Sequence, residues 1–123
     1  MDSRTLPRVF IVDQSPAVIA RLAASIHDIA TVMGSAANTR DAISGIRGGN
    51  PRFAVLDIAV DGGVELLRQI KNHRPAVITI ILTHSADDTT RSFCLRLGAD
   101  YFLDKIAEFG RVREIITRET CLK

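Results

Sequence analysis

The chain lacks a disulfide framework: its 123 residues hold only Cys94 and Cys121, each alone in a stretch of helical appearance. Secreted scaffolds are cysteine-dense, so these two read as reduced thiols of a cytosolic protein. No apolar run approaches the roughly 18 residues of a membrane helix. The opening MDSRTLPR has no apolar stretch of signal-peptide length. Sixteen Lys and Arg against fourteen Asp and Glu leave a formal charge of +2. That balance offers no dense basic stripe, and with it no expected nucleic-acid surface. Gly48-Gly49 and Gly62-Gly63 form neither G-x-G-x-x-G nor a Walker A loop. His27, His73 and His84 lack metal-ligand spacing, and no Ser-His-Asp or Cys-His arrangement stands out. What remains is an ordinary soluble composition, 46% hydrophobic and 24% charged, of a length that suits one domain spanning residues 1–123.

Short apolar runs alternate with amphipathic ones along the whole chain. RVFIV (Arg8–Val12) reads as a strand covered on both faces. Ser15-Pro16 supplies an N-cap and a first-turn proline for a helix continuing from Ala17 to about His27. ATVMGSA (Ala30–Ala36) is a weaker, edge-like strand. Thr39 is placed to cap a helix over Arg40–Arg47 that Gly48-Gly49 ends. FAVLDI (Phe53–Ile58) is a third strand, followed by a helix over Gly63–His73 with Pro75 beyond it. AVITIILT (Ala76–Thr83) is the most apolar strand and reads as central. Ala86–Leu97 reads as a helix stopped by Gly98, Asp100–Asp104 as the last strand, and Phe109 to Ile116 as a final amphipathic helix. Five strands alternating with five helices predict a parallel sheet with helices on both faces. In such sheets the ligand crevice lies beyond the carboxyl ends of the strands.

The polar residues that close the strands are therefore the candidate site. They are Asp13-Gln14 after the first strand, Asp57 after the third, Thr83 at the fourth and Asp104-Lys105 at the fifth. Taken singly, an Asp after a strand is most often a turn or cap residue, and a lone Lys is a solvated one. Taken together, carboxylates, a hydroxyl and an ammonium group on one sheet edge suit phosphoryl transfer to a carboxylate. An Asp can act as nucleophile, a divalent cation uses carboxylates and phosphate oxygens, and Lys and Thr receive the phosphoryl oxygens.

With FIVD, VLDI, GGVELLRQIK, IILT and LGADYFLDK in this order and spacing, the chain resembles the receiver domain of bacterial two-component response regulators over about residues 8–119. The resemblance implies a flavodoxin-like (βα)5 fold with strand order 2-1-3-4-5. It implies phosphorylation of Asp57 by a sensor histidine kinase or phosphotransfer protein, with Mg²⁺ held by Asp13, Asp57 and the Ala59 carbonyl. Thr83 and Lys105 would sense the phosphoryl group, and Phe102, with Tyr101 beside it, would be the switch aromatic. Output would change the surface over about residues 86–119, a local charge event with a distant packing readout. Such a protein is a cytoplasmic signalling phosphoprotein and no turnover enzyme, beyond slow self-dephosphorylation. With few residues after about 119, output would pass to an unidentified partner protein. Homodimerisation through the last helices is left open.

Three departures from the family's pattern stand out. Gln14 replaces the usual second acidic residue, so it is at best a weak metal ligand. The loop IAVDGG lacks the common Pro and about two residues, which puts the place of the Ala59 carbonyl in question; Asp61 reads either as a nearby carboxylate or as a helix cap. Ile106 follows Lys105 where Pro, often with a cis bond, is usual. These losses open an alternative, a degenerate receiver acting by phosphorylation-independent protein contacts. A flavin-type small-molecule binder fits less well, because no phosphate-cradling loop follows the first strand. Arg91 and Arg96 on the fourth helix read by default as a solvated basic face, with a partner contact as the other reading.

Overall fold

The computed structural model describes residues 5–121. Five strands, β1 (Arg8–Val12), β2 (Thr31–Ala36), β3 (Phe53–Leu56), β4 (Ile78–Thr83) and β5 (Tyr101–Asp104), alternate with five helices. These are α1 (Pro16–Ile26), α2 (Thr39–Gly49), α3 (Gly63–His73), α4 (Asp88–Arg96) and α5 (Arg111–Cys121). All pairings are parallel and the order is β2-β1-β3-β4-β5, the flavodoxin-like arrangement. β2 takes an edge as its weak pattern suggests, and β4 is interior, although β3 holds the middle place.

Strand side chains alternate between faces, and the core divides accordingly. Phe10, Val12, Ala54, Leu56 and Ile81 meet α2, α3 and α4 through Ala42, Ile46, Leu66, Leu67, Ile70 and Cys94. Val9, Ile11, Phe53, Val55, Ile80 and Leu82 meet α1 and α5 through Leu22, Ile26, Val112, Ile115 and Ile116. Each fully buried aliphatic chain of this size contributes about 1.5–3 kcal/mol. The two half-cores together clamp the sheet and fix the strand ends in space. The two cysteines are free, Cys94 buried and Cys121 exposed; burial pushes the Cys94 thiol up from its ordinary value.

Several element ends differ from the sequence expectation, each for a local reason. Asn38, not Thr39, caps α2, its side chain accepting from the Asp41 amide at 2.9 Å. Thr39 lies inside the helix, and its hydroxyl donates instead to the Asp61 carbonyl at 2.6 Å. Gly48-Gly49 stay helical, and the helix ends at Asn50 in the left-handed conformation (φ 51°). β3 stops at Leu56 because Asp57 begins a turn, and β4 starts at Ile78 after the Pro75–Val77 turn. Asp87 caps α4 through the Thr90 amide at 2.8 Å, leaving Ala86 outside the helix.

α1 follows expectation, with Ser15 accepting from the Val18 amide and Pro16 in the first turn. The turn between β3 and α3 depends on two glycines. Gly62 caps α3 at φ +75°, and a Cβ on Gly63 would lie 2.5 Å from the Ile58 carbonyl oxygen. Asp61 is thus exposed in the turn, and α3 has no side-chain cap. The Lys105–Ile106 bond is trans, like the other described peptide bonds.

Candidate functional site

Backbone pairing runs one rung past the strands and sets the site residues in register. The Asp13 amide donates to the Ala36 carbonyl (3.0 Å), Asp57 to Val12 (2.9 Å) and Lys105 to Thr83 (2.9 Å). Asp13, Asp57 and Lys105 are therefore the first residues beyond three ladders. Parallel strands put them on one edge.

There they meet. The Lys105 Nζ donates to Asp13 Oδ2 at 2.6 Å and to Asp57 Oδ2 at 2.6 Å. Exposure of these side chains is small, 6% for Lys105 and Asp13 and 12% for Asp57. The remaining oxygens face backbone donors: Asp13 Oδ1 accepts from the Ser15 amide (2.9 Å) and Asp57 Oδ1 from the Ala59 amide (3.0 Å). Each carboxylate is thus gripped by a tight local turn on one side and by the ammonium on the other. Thr83 is fully buried at the same edge, and its hydroxyl accepts from the Ser85 amide at 3.2 Å.

The electrostatics follow from this packing. Burial raises the Asp57 pKa, but the Lys105 hydrogen bond, the Ala59 amide, the Lys105 charge and the Thr83 hydroxyl outweigh it and hold the carboxyl below its ordinary value. Burial likewise depresses Lys105, and hydrogen bonds and charge from Asp13 and Asp57 more than restore it, so its pKa is raised. Asp57 and Lys105 are therefore both ionised at neutral pH.

The other expected residues fall less centrally. Gln14 is exposed beside Asp13. Asp104 lies outside the triad: its Oδ1 accepts from the Ile106 and Ala107 amides, and its own amide donates to Glu108. It shapes the loop that carries Lys105. Phe102 is buried toward α4, where Arg91 lies 5.9 Å from its ring and donates to its carbonyl at 3.3 Å. Arg91 is therefore engaged with β5, not simply solvated. Tyr101 faces α5 and hydrogen-bonds Glu119, with Arg118 over its ring. His84 is exposed and Ile106 is 79% exposed on the rim.

Sequence reading missed the turn amides of Ser15 and Ala59 and the buttress from Glu108. The Asp-x-Ser spacing at Asp13–Ser15 is the one signal that pointed to such a turn.

The response regulator receiver domain model matches residues 9–117, so the chain belongs to the response regulator receiver domain family. Among solved structures, it is similar to the isolated receiver domain of RcsB from Salmonella enterica serovar Typhimurium, solved in the presence of phosphomimetic BeF3⁻. The TM-score is 0.87 at 21% identity, covering 97% of this chain and 91% of that one. It is likewise similar to a CheY-like receiver domain protein from Methanospirillum hungatei JF-1 (TM-score 0.81, 23% identity, 94% and 98% covered). The response regulator domain of Thermotoga maritima CheB is a third such structure (TM-score 0.80, 22% identity, 94% and 93% covered). A search of curated proteins finds no match.

Receiver domains generally serve as phosphoacceptor switches in two-component signalling and bind Mg²⁺ at acidic residues. Among the described residues, no three His, Cys, Asp or Glu side chains gather at a metal-sized point. Mg²⁺ asks for one or two carboxylates, keeping water and phosphate oxygens for the rest. The converging Asp13 and Asp57 carboxylates meet that minimum. None of the helices is long and apolar enough to cross a membrane, among the described residues.

The triad has a signature in stability. Asp57, with a depressed pKa, contributes above its ordinary 3.8, and the contribution is lost as pH falls. Lys105, with a raised pKa, contributes below its ordinary 10.5, and the contribution is lost as pH rises. Between those limits, Lys105→Met leaves two buried carboxylates facing each other. Urea unfolding at pH 7 is expected to show a loss of about 3–5 kcal/mol, shrinking toward pH 5 as one carboxylate protonates. A loss of under about 1 kcal/mol, the worth of a surface pair, would contradict the buried-triad description.

Proposed function

We propose that the chain is a phosphoryl-accepting switch of a two-component system, with Asp57 as the acceptor and residues 8–119 as the working unit. The convergence of Asp13, Asp57 and Lys105 at the carboxyl edge of the sheet carries this reading. An Asp57 oxygen forms the bond to phosphorus as the P–N bond to the donor's imidazole breaks. Lys105 then exchanges its contact with Asp57 for one with the phosphoryl oxygens, and the Thr83 hydroxyl takes another. Asp13, Asp57, the Ala59 carbonyl and, weakly, the Gln14 amide would hold Mg²⁺. That ion, when bound, neutralises charge on the transferring group.

Drawing Thr83 and Lys105 toward a phosphoryl group pulls on the ends of β4 and β5. Phe102 and Tyr101 precede Lys105 on β5 and pack toward α4 and α5, so the α4–β5–α5 surface is where a partner reads the change. The donor is a sensor histidine kinase or phosphotransfer protein, and the setting is cytoplasmic.

One observation favours a second reading. Lys105 already bonds both carboxylates, and position 14 offers only a neutral, exposed amide. A site whose negative charge is reduced in this way suits a receiver that works by protein contacts without phosphorylation.

Intact mass after incubation with acetyl phosphate and Mg²⁺ separates the two. The switch predicts one added phosphoryl group on the wild type and none on Asp57→Asn. An unmodified wild type would favour the interaction module. A linked expectation concerns Gln14→Asp, which restores a second carboxylate beside Asp13. Titration should show Mg²⁺ affinity rising roughly tenfold or more, as a net gain of about 1.4 kcal/mol implies; an unchanged affinity would place the metal away from Gln14.

A further inference from the structure

Between α2 and α3 lies a cavity of about 330 Å³ that the strand-edge site does not use. That volume falls in the roughly 300–1,000 Å³ span of small-ligand clefts. Ile43 and Ile46 of α2 face Leu66 and Ile70 of α3 across it. Ile46, Leu66 and Ile70 are each under 5% exposed, and only Ile43 is partly open. The apolar floor of the cavity is therefore recessed between the two helices, forming a slot. A slim body, alkyl or aryl, fits that shape.

Beside the neutral Gln69, the charged lining is of one sign. Arg47 and Arg74, with His73, line the slot, and no acidic residue of the described chain does. Basic residues near helix C-termini are favoured by the helix dipole on their own account, so charge alone would say little. Arg74 adds a different kind of observation. Its Nη2 donates at 3.2 Å to the Arg47 carbonyl, while its Nε is buried without a hydrogen-bond partner. Buried donors nearly always find an acceptor, and an orphan calls for an explanation. A second hollow on the far side of Arg74 brings Arg8 and Arg52 to the same end of the molecule, strengthening its positive potential.

We propose that this slot binds a small amphipathic anion. Its apolar body lies between α2 and α3, and its carboxylate is held by Arg47 and by an Arg74 guanidinium that turns to give the orphan donor an acceptor. The proposal does not rest on the phosphoryl-switch reading: the slot lies at the amino end of the strands, where α2 and α3 finish, and Asp57 lies at the carboxyl end.

The test is a ¹H–¹⁵N titration of the whole chain with octanoate, with octanamide and octyltrimethylammonium as controls of the same tail. Saturable shifts are expected over residues 43–47 and 66–74, with affinity at least about tenfold weaker for either control. Arg47→Gln and Arg74→Gln should each weaken octanoate by a similar factor, a loss of about 1.4 kcal/mol per tenfold. Arg47 is exposed, so its variant keeps the test sound if Arg74→Gln perturbs folding. Asp57→Asn should bind octanoate as the wild type does. Non-saturating shifts, shifts mapping elsewhere, or equal affinity for the three probes would overturn the proposal. So would a Leu- and Glu-bearing amphipathic peptide that binds these residues more tightly than octanoate, or self-association by light scattering that covers them; these would point to a protein partner or a second copy.

Discussion

The site depends on one buried ammonium group. Lys105 Nζ stands between Asp13 and Asp57, and without it two carboxylates would share a largely buried pocket. Such a pair resists full ionisation, because like charges in a low-dielectric space favour taking one proton back as pH falls. The ammonium keeps Asp57 anionic, the form that its proposed acceptor role requires. It also makes the site hard to form by halves, since breaking a buried pair costs far more than never having built it. The parallel sheet supplies the framework: three backbone rungs beyond the strands place the three residues, and the two half-cores hold those strands still.

The same interaction gives Gln14 its meaning. In a site with another acidic residue at that position, a single lysine would leave a surplus of negative charge to attract a divalent cation. Here that surplus is smaller. Mg²⁺ sheds water reluctantly and relies on carboxylate charge to repay it. On the proposed reading, the chain keeps Asp57, Lys105 and Thr83 at the strand edge while weakening the attraction for a divalent metal. Two functional readings follow from that one substitution, and they differ in chemistry and not in fold.

Much of this was legible in the sequence, and the rest had physical reasons to stay hidden. The β-branched runs at Arg8–Val12 and Ile78–Thr83 announce buried strands because both faces of the sheet are covered, so their periodicity is lost to continuous apolarity. The strand-tip residues Asp13, Asp57, Thr83 and Lys105 could be collected because parallel topology brings carboxyl ends to one edge. The closed ammonium–carboxylate triad was not legible, since a lysine and two aspartates far apart in sequence carry no sign of their distances. The α2 cap was misplaced by one residue because Asn38 and Thr39 are both able caps; the contest was settled by tertiary structure, where Thr39 is needed to hold Asp61. Arg91 read as solvated because nothing in its own helix shows that Phe102 lies beneath it.

The central claim is that Asp57 is kept as a poised anion by Lys105. The most direct measurement is the titration of the Asp57 side-chain carboxyl by ¹³C NMR in the unmodified chain. A midpoint below the ordinary 3.8 is predicted, because the hydrogen bonds and charge of its partners outweigh burial. A midpoint at or above 3.8 would contradict the account, showing a carboxyl governed by burial and left without its cation.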